Sequence, residues 1–370
     1  MSAPRLEIRL DKIHHNTQTM VQRLSDVGIS VTGISKATLG SPEVAAAMLC
    51  AGVTSLGDSR IENIEGMRKA GVQAKMILTR SPMLSQAARV VASADASLNT
   101  ELDVISKLSV AAEKARRTHG VILMVELGDL REGIMPAALE RVVRRTLCFP
   151  GISLEGIGTN LACRSGVVPD SENMAELSSL ADATEATFGI CLKAVSGGNS
   201  ANIEWALSGA GTGRINNLRL GESLLLGRDP LNRQPIDGLY TDAFTLVAEV
   251  IESGMKPTKP TGATAQCAYG ETPAANDRGQ ISQALLAIGQ QDVDASGLVP
   301  PAGIEILGAS SDHLIVDCRA GPLLVGTEVS FQVNYAALVG AMTSPYVAQV
   351  LHNAGTDGRL IAATPFPSAA

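Results

Sequence analysis

Lys36 has the setting in this chain that most suggests chemistry. It follows a short apolar run, 29–34, with β-branched Ile29, Val31, Thr32 and Ile34, and it precedes Gly40 and then Pro42 at a helix start. A strand buried on both faces would deliver this amine to its carboxyl end, where parallel α/β folds gather reactive groups. Desolvation there disfavours the ammonium form, and a neutral amine forms Schiff bases with carbonyls. An exposed lysine at an ordinary strand end is the competing reading of this stretch alone. A second stretch, Ser196-Gly197-Gly198-Asn199-Ser200, joins two glycines to residues that cap a helix. N–H groups at such a start form an anion site, although the same residues also make a plain Gly-Asn turn. An end-of-strand amine and a phosphate cradle together suit pyridoxal 5'-phosphate (PLP), whose aldehyde needs the one and whose phosphate needs the other.

The pattern of the chain supplies a frame for these groups. Residues 6–10 alternate apolar and charged, as in a half-buried strand, and Asp11 reads as the cap of a helix reaching Leu24. Strands are then predicted at 29–34, 54–57, 75–78, 96–98, 121–127, 153–158, 191–195 and 218–220. Helices alternate with them at 42–51, 60–70, 84–92, 101–117, 136–146, 172–188 and 203–206. Units of roughly 25 residues in this number fit a (β/α)8 TIM-type barrel better than a doubly wound open sheet. Beyond residue 230 the pattern turns to β, at 244–251, 282–288, 305–307, 313–318 and 328–333, with Gly and Pro between. The expected organisation is a barrel over 11–235, a C-terminal β-domain over 236–352 that takes in 1–10, and a fraying tail over 353–370. The stretch 253–279 reads as a long polar loop.

Residues after successive strands would ring the open end of such a barrel: Lys36, Arg131, Thr159, Asn160, Ser196 to Ser200, Arg219, Gly221 and Glu222. Five histidines and six cysteines are scattered without zinc or redox spacing. No metal site is expected, and the thiols fit a reducing cytoplasm. A net charge of -7 without a basic patch argues against nucleic acid. No apolar run reaches the ~18 residues of a membrane span, and the charged N-terminus lacks a signal-peptide core.

Several motifs occur in order. They are Leu6-Glu7-Ile8-Arg9-Leu10-Asp11, Ser35-Lys36-Ala37, Leu127-Gly128-Asp129-Leu130-Arg131-Glu132-Gly133, Gly158-Thr159-Asn160-Leu161, Ser196-Gly197-Gly198-Asn199-Ser200, Leu218-Arg219-Leu220-Gly221-Glu222, Ala287-Ile288-Gly289-Gln290-Gln291-Asp292 and Gly308-Ala309-Ser310-Ser311-Asp312-His313. From about Arg5 to Tyr346 the chain resembles the alanine racemase family of PLP enzymes, a PLP barrel plus a β-domain, and more closely its ornithine/lysine racemase branch. The resemblance implies an amino-acid racemase, acting on basic or broad substrates, that works as a homodimer with shared active sites.

It also implies roles. Lys36 would bind PLP, with Asn160 beside it. Ser196, Gly198, Asn199 and Ser200, with the backbone of Gly221 and Glu222 and the hydroxyl of Tyr346, would hold the phosphate. Arg219 would face the pyridine nitrogen, and Arg131 the substrate carboxylate or the second base. Tyr269 would reach the active site of the other subunit, with Asp312 at the same interface. Inversion at a carbon needs a base on each face; Lys36 would serve one and Tyr269 the other. A phenol ionises ordinarily near ~10, so Tyr269 needs a neighbouring cation, for which Arg131 is the candidate. The chain departs from the family where Leu39 replaces a tyrosine and Thr159-Asn160 replaces a histidine. It departs from the branch where Tyr269-Gly270 replaces Phe-Gly. Two rival readings are a PLP-dependent lyase or decarboxylase of the same fold, for which Cys267 and Cys318 fit poorly, and a non-enzymatic PLP-binding protein, which would resemble the barrel alone.

Overall fold

The computed structural model describes residues 2–266, 269, 277–353 and, for the backbone alone, 359–361. The chain divides into two compact units, one of Asp11–Thr241 and one of the first ten residues with the chain from Asp242 onward.

Strand β1 (Arg5–Arg9) belongs to the second unit. The first is a closed parallel barrel of β2 (Ser30–Ile34), β3 (Ser55–Asp58), β4 (Met76–Leu78), β5 (Ala96–Asn99), β6 (His119–Met124), β7 (Ile152–Gly158), β8 (Ala194–Gly198) and β9 (Asn217–Leu220). Closure is made by β9 pairing with β2, where Gly33 lies opposite Leu220. The strands read as apolar runs because both faces are covered: β3, β4, β5 and β6 are buried along their whole length. Ile77, Ala96, Leu98, Ile122 and Met124 form one cluster with Ala194. Since β8 is a neighbour of none of β4, β5 and β6, Ala194 meets this cluster through the barrel interior, which is a packed core. Helices cover the outside by the usual spacing. In Pro136–Thr146, Leu139, Val142, Val143 and Thr146 are buried and Arg144 and Arg145 lie in the last turn, where the helix dipole favours cations. Burying each of those aliphatic side chains contributes up to about 1.5–3 kcal/mol.

Between the strands and the outer helices sits a buried histidine. His119 Nε2 lies 2.8 Å from Ser97 Oγ, and burial pulls its pKa from 6.5 down to about 4. The unfolded chain therefore binds a proton between those values that the folded chain refuses. Stability from this group is present in full above pH 6.5 and is lost as the pH falls toward 4, by about 3 kcal/mol in all. Urea unfolding at pH ~5 and ~7 should show this loss in the wild type, and His119→Gln should flatten it.

The second unit is a largely antiparallel sheet. Its other strands are β10 (Phe244–Pro257), β11 (Gln280–Leu286), β12 (Leu298–Val299), β13 (Ile304–Ala309), β14 (Leu314–Cys318), β15 (Glu328–Val333), β16 (Ala348–His352) and β17 (Arg359–Ile361). The order is β13-β14-β11-β10-β1-β16-β17, with β15 on β10 and β12 on β15. Several sequence expectations need correction. The strand expected to end at Ile251 bulges between Val250 and Glu252 and continues to Pro257 opposite Gln280, so the polar loop starts later than Ser253. Helix Leu10–Ser25 begins one residue before Asp11, which thus lies in the first turn rather than at the cap. The pattern did not announce β12, β16, which runs parallel to β1, or the helices Glu222–Leu226 and Tyr335–Thr343. Strand β17 pairs with β16 inside the stretch expected to fray; Cys267, Gly270 and residues 354–358 and 362–370 lie outside the described residues. No helix among the described residues is long and apolar enough to cross a membrane.

Candidate active site

Strand β2 ends at Ile34, and the chain turns at once through the short helix Lys36–Thr38. Lys36 is exposed, while Ser35, Ala37 and Thr38 are buried. Three hydrogen bonds converge on the Ser35 carbonyl, from the N–H of Thr38, the N–H of Gly40 and Thr38 Oγ1. Ser35 Oγ donates to Asp58 Oδ2 at 2.8 Å. Asp58 ends β3, is fully buried, and also accepts from Arg60 N and Asn63 Nδ2. Burial pushes its pKa up against those donors. Gly40 closes the turn at φ +67°, and a Cβ there would stand 2.8 Å from Asn63 Cβ. The lysine is thus carried on a turn clamped from the next strand.

Arg219 lies on β9, the strand next to β2, opposite Thr32, with 6% exposure. Its guanidinium donates to Ser196 Oγ, to the Thr159 carbonyl at 2.8 Å and to Asn160 Oδ1 at 3.4 Å. All three are neutral acceptors, and burial pulls its pKa down to about 10. A chain of neutral side chains backs it. Ser196 Oγ donates to Asn217 Oδ1, Asn217 Nδ2 to Thr32 Oγ1, and Thr32 Oγ1 shares a proton with Ser55 Oγ at 2.8 Å. Asn160 Oδ1 also accepts from Asn199 Nδ2 at 3.2 Å, which fixes the amide orientation. The buried Asn160 Nδ2 then has no acceptor among the described residues.

The Ser196–Ser200 stretch forms the end of β8 and a capped turn. Asn199 and Asn202 bond reciprocally as a capping box, and Asn199 Oδ1 accepts from Ala201 N. Gly198 is required at φ +144°, because a Cβ would stand 2.2 Å from Asn202 Oδ1. Ser200 Oγ accepts from Ser223 N, tying this turn to helix Glu222–Leu226 beyond Gly221.

The loop after β6 carries Arg131, paired with Glu132. Two carboxylates shape it. Glu126 Oε1 accepts from Gly128 N and Leu130 N. Asp129, buried, accepts from the N–H groups of Cys163, Arg164 and Ser165 in the loop after β7. Asp129→Ala leaves those donors without their acceptor and frees both loops. It should cost about 2–4 kcal/mol of stability, and steady-state kinetics should show a raised KM with kcat less affected.

Lys36, Arg131, Asn160, Ser196, Gly198, Asn199, Ser200, Arg219, Gly221 and Glu222 therefore share one unit, at the strand ends or in the loops that follow them. Tyr269, Asp312 and Tyr346 belong to the other. Tyr269 is 45% and Tyr346 70% exposed. Asp312 bonds His313 Nδ1 at 2.8 Å, which holds its carboxyl below the usual range. Asp58, Asp129 and Asn217 escaped sequence reasoning. Asp58 had a usable signal, a carboxylate at a strand end one strand from Lys36.

The residues of the barrel unit fit PLP. Among the described residues a buried amide donor lacks an acceptor and a buried cation donates to neutral partners, and a lysine stands on a clamped turn. Comparison with known proteins gives the family. The model described as alanine racemase, N-terminal domain, matches residues 8–229. A lysine racemase of Thermotoga maritima is 37% identical over 95% of this chain and 99% of its own length.

The chain belongs to the alanine racemase family.

An ornithine racemase of Acetoanaerobium sticklandii is also 37% identical, over 94% of this chain and 99% of its own. Among solved structures, an alanine racemase of Clostridium difficile in complex with cycloserine superposes with a TM-score of 0.73 at 18% identity, covering 98% and 99% of the two chains. A D-threonine aldolase from Filomicrobium marinum does so with 0.75 at 16%, covering 98% and 94%. The fold of this alanine racemase family member is thus common to enzymes named for different reactions, and reaction type must be argued from the site.

Proposed function

We propose that this chain is a PLP-dependent racemase that interconverts the L and D forms of diamino acids such as lysine and ornithine. The observation that carries the reading is Lys36 on its clamped turn at the barrel mouth, in a chain 37% identical along nearly its full length to racemases of those two amino acids. Bound there, PLP supplies the electron sink that makes the α-hydrogen of an amino acid acidic enough to remove.

Each residue then has a task. Lys36 holds the cofactor through its amine and moves the proton on one face of the α-carbon. Tyr269 of the partner subunit serves the opposite face, with Asp312 at the same subunit contact in a homodimer. The Ser196–Ser200 turn and the backbone N–H groups of Gly221 and Glu222 would hold the phosphate. Asn160 offers its spare amide donor to the cofactor. Arg131 receives the substrate carboxylate or stands beside the second base. Arg219 would meet the cofactor's pyridine ring and, by keeping its own proton, would limit the electron sink and guard against side reactions. Free thiols at Cys50, Cys148, Cys163, Cys191 and Cys318 suit work in the cytoplasm.

The test is a chiral assay of the PLP-loaded protein on a panel of L-amino acids. Appearance of the D-enantiomer from lysine or ornithine supports the reading. Loss of substrate to cleavage or decarboxylation products, with no D-enantiomer, would contradict it.

A further inference from the structure

A diamino acid brings a second ammonium at the end of its side chain, and a specific site must offer that charge an anion. The carboxylates at the ends of β3, β6 and β9 differ sharply in whether they are available. Asp58 is fully buried and held by Ser35, Arg60 and Asn63. Glu126 is used by the N–H groups of its own loop, and Asp129 by those of residues 163–165. Glu132 is gripped through two bonds by the neighbouring Arg131. Glu222 is different. Its side chain has 15% exposure and its ion pair is a single contact with Arg233, whose side chain is 61% exposed. Only the arginine end of the pair lies in solvent, so another cation can take its place at the half-buried carboxylate.

Glu222 also stands in the right place. Strands β2 and β9 are neighbours, with Gly33 opposite Leu220, and Gly221 packs against Ile34. Glu222 thus leaves β9 beside the point where Lys36 leaves β2. The Lys36 charge acts on it, while burial pushes its pKa up, so a further cation would be welcome there. Arg233 lines a cavity of about 380 Å³ between the loops after β7 and β9, whose wall also carries Glu204 and Arg164.

We propose that Glu222 is the specificity carboxylate of this racemase: it receives the distal ammonium of lysine or ornithine, which takes the place of Arg233. This rests on the proposed racemase function and names the group that selects its substrates.

The experiment compares L-lysine with L-norleucine, which has the same carbon chain and no distal ammonium, using PLP-loaded wild type, Glu222→Gln and Arg233→Ala. Bound PLP is measured by absorbance in each. A charge-assisted hydrogen bond sets the expected effect. Glu222→Gln should lower the lysine-to-norleucine ratio of kcat/KM by roughly 10- to 100-fold, mainly through KM for lysine. Arg233→Ala should lower the KM for lysine several-fold. The inhibition constant of 1,5-diaminopentane should rise in Glu222→Gln as well, a reading that needs no turnover of the ligand. A lysine-to-norleucine ratio unchanged by Glu222→Gln would overturn the inference and leave the racemase reading standing. A PLP-loaded wild type that racemises neither amino acid would overturn both.

Discussion

Lys36→Ala should lower racemisation by roughly 10³-fold or more and release the cofactor from covalent attachment. Two functions leave with one side chain: the amine that holds PLP and the group that moves a proton on its face. The fold should be untouched. Lys36 is exposed, and the turn that carries it is held by the Ser35 carbonyl and by the Ser35–Asp58 bond, neither of which uses the lysine side chain. Surface substitutions of this kind usually change stability by under about 0.5 kcal/mol. The measurement is a chiral assay paired with gel filtration in denaturant, after which PLP should no longer travel with the variant. A variant of normal melting temperature that still carried covalent PLP would remove Lys36 from the centre of the mechanism.

Arg219→Met should separate stability from activity. In the free protein the guanidinium is a buried cation with only hydroxyl, carbonyl and amide acceptors, and burial pulls its pKa down to about 10. Keeping it charged costs about 3 kcal/mol. Because the folded value is depressed, that cost is present in full below pH 10 and fades only above it. Methionine relieves the cost and gives up the hydrogen bonds, two opposing effects of similar size. The cofactor-free variant should therefore unfold within about 2 kcal/mol of wild type, with a difference that does not change between pH ~6 and ~9. Racemisation should nevertheless fall by about 100-fold or more, since a preorganised charge at a reacting centre is worth that much. Denaturant melts of the cofactor-free proteins and kcat/KM of the loaded ones check the two halves. Loss of well over 4 kcal/mol in the cofactor-free variant would make Arg219 a structural residue.

The barrel was legible because parallel strands covered on both faces read as apolar runs and their helices keep a helical spacing. Their ends were less so. The run predicted to reach Leu127 stops at Met124, because Val125 bridges to Ile134 and Glu126 turns back to bind its own loop. The strand predicted from Cys191 begins at Ala194 and includes both cradle glycines, poor strand formers that the ladder to β9 holds in place. In the second unit, β16 pairs in parallel with β1, more than 300 residues earlier, and no local pattern announces such a pairing. The same division applies to the site. Lys36, Arg219 and the Ser196–Ser200 turn are chemically distinctive and stand at strand ends. Asp58, Asp129 and Asn217 act only through partners brought to them by the fold, so their roles appear once those partners are in place.

The central claim is that Lys36 is the cofactor-bearing amine. The direct measurement is borohydride reduction of the PLP-loaded protein, followed by proteolysis and mass mapping of the pyridoxyl group. The account predicts one modified peptide, containing Ser35-Lys36-Ala37. A pyridoxyl group on any other lysine, or on none, would contradict it.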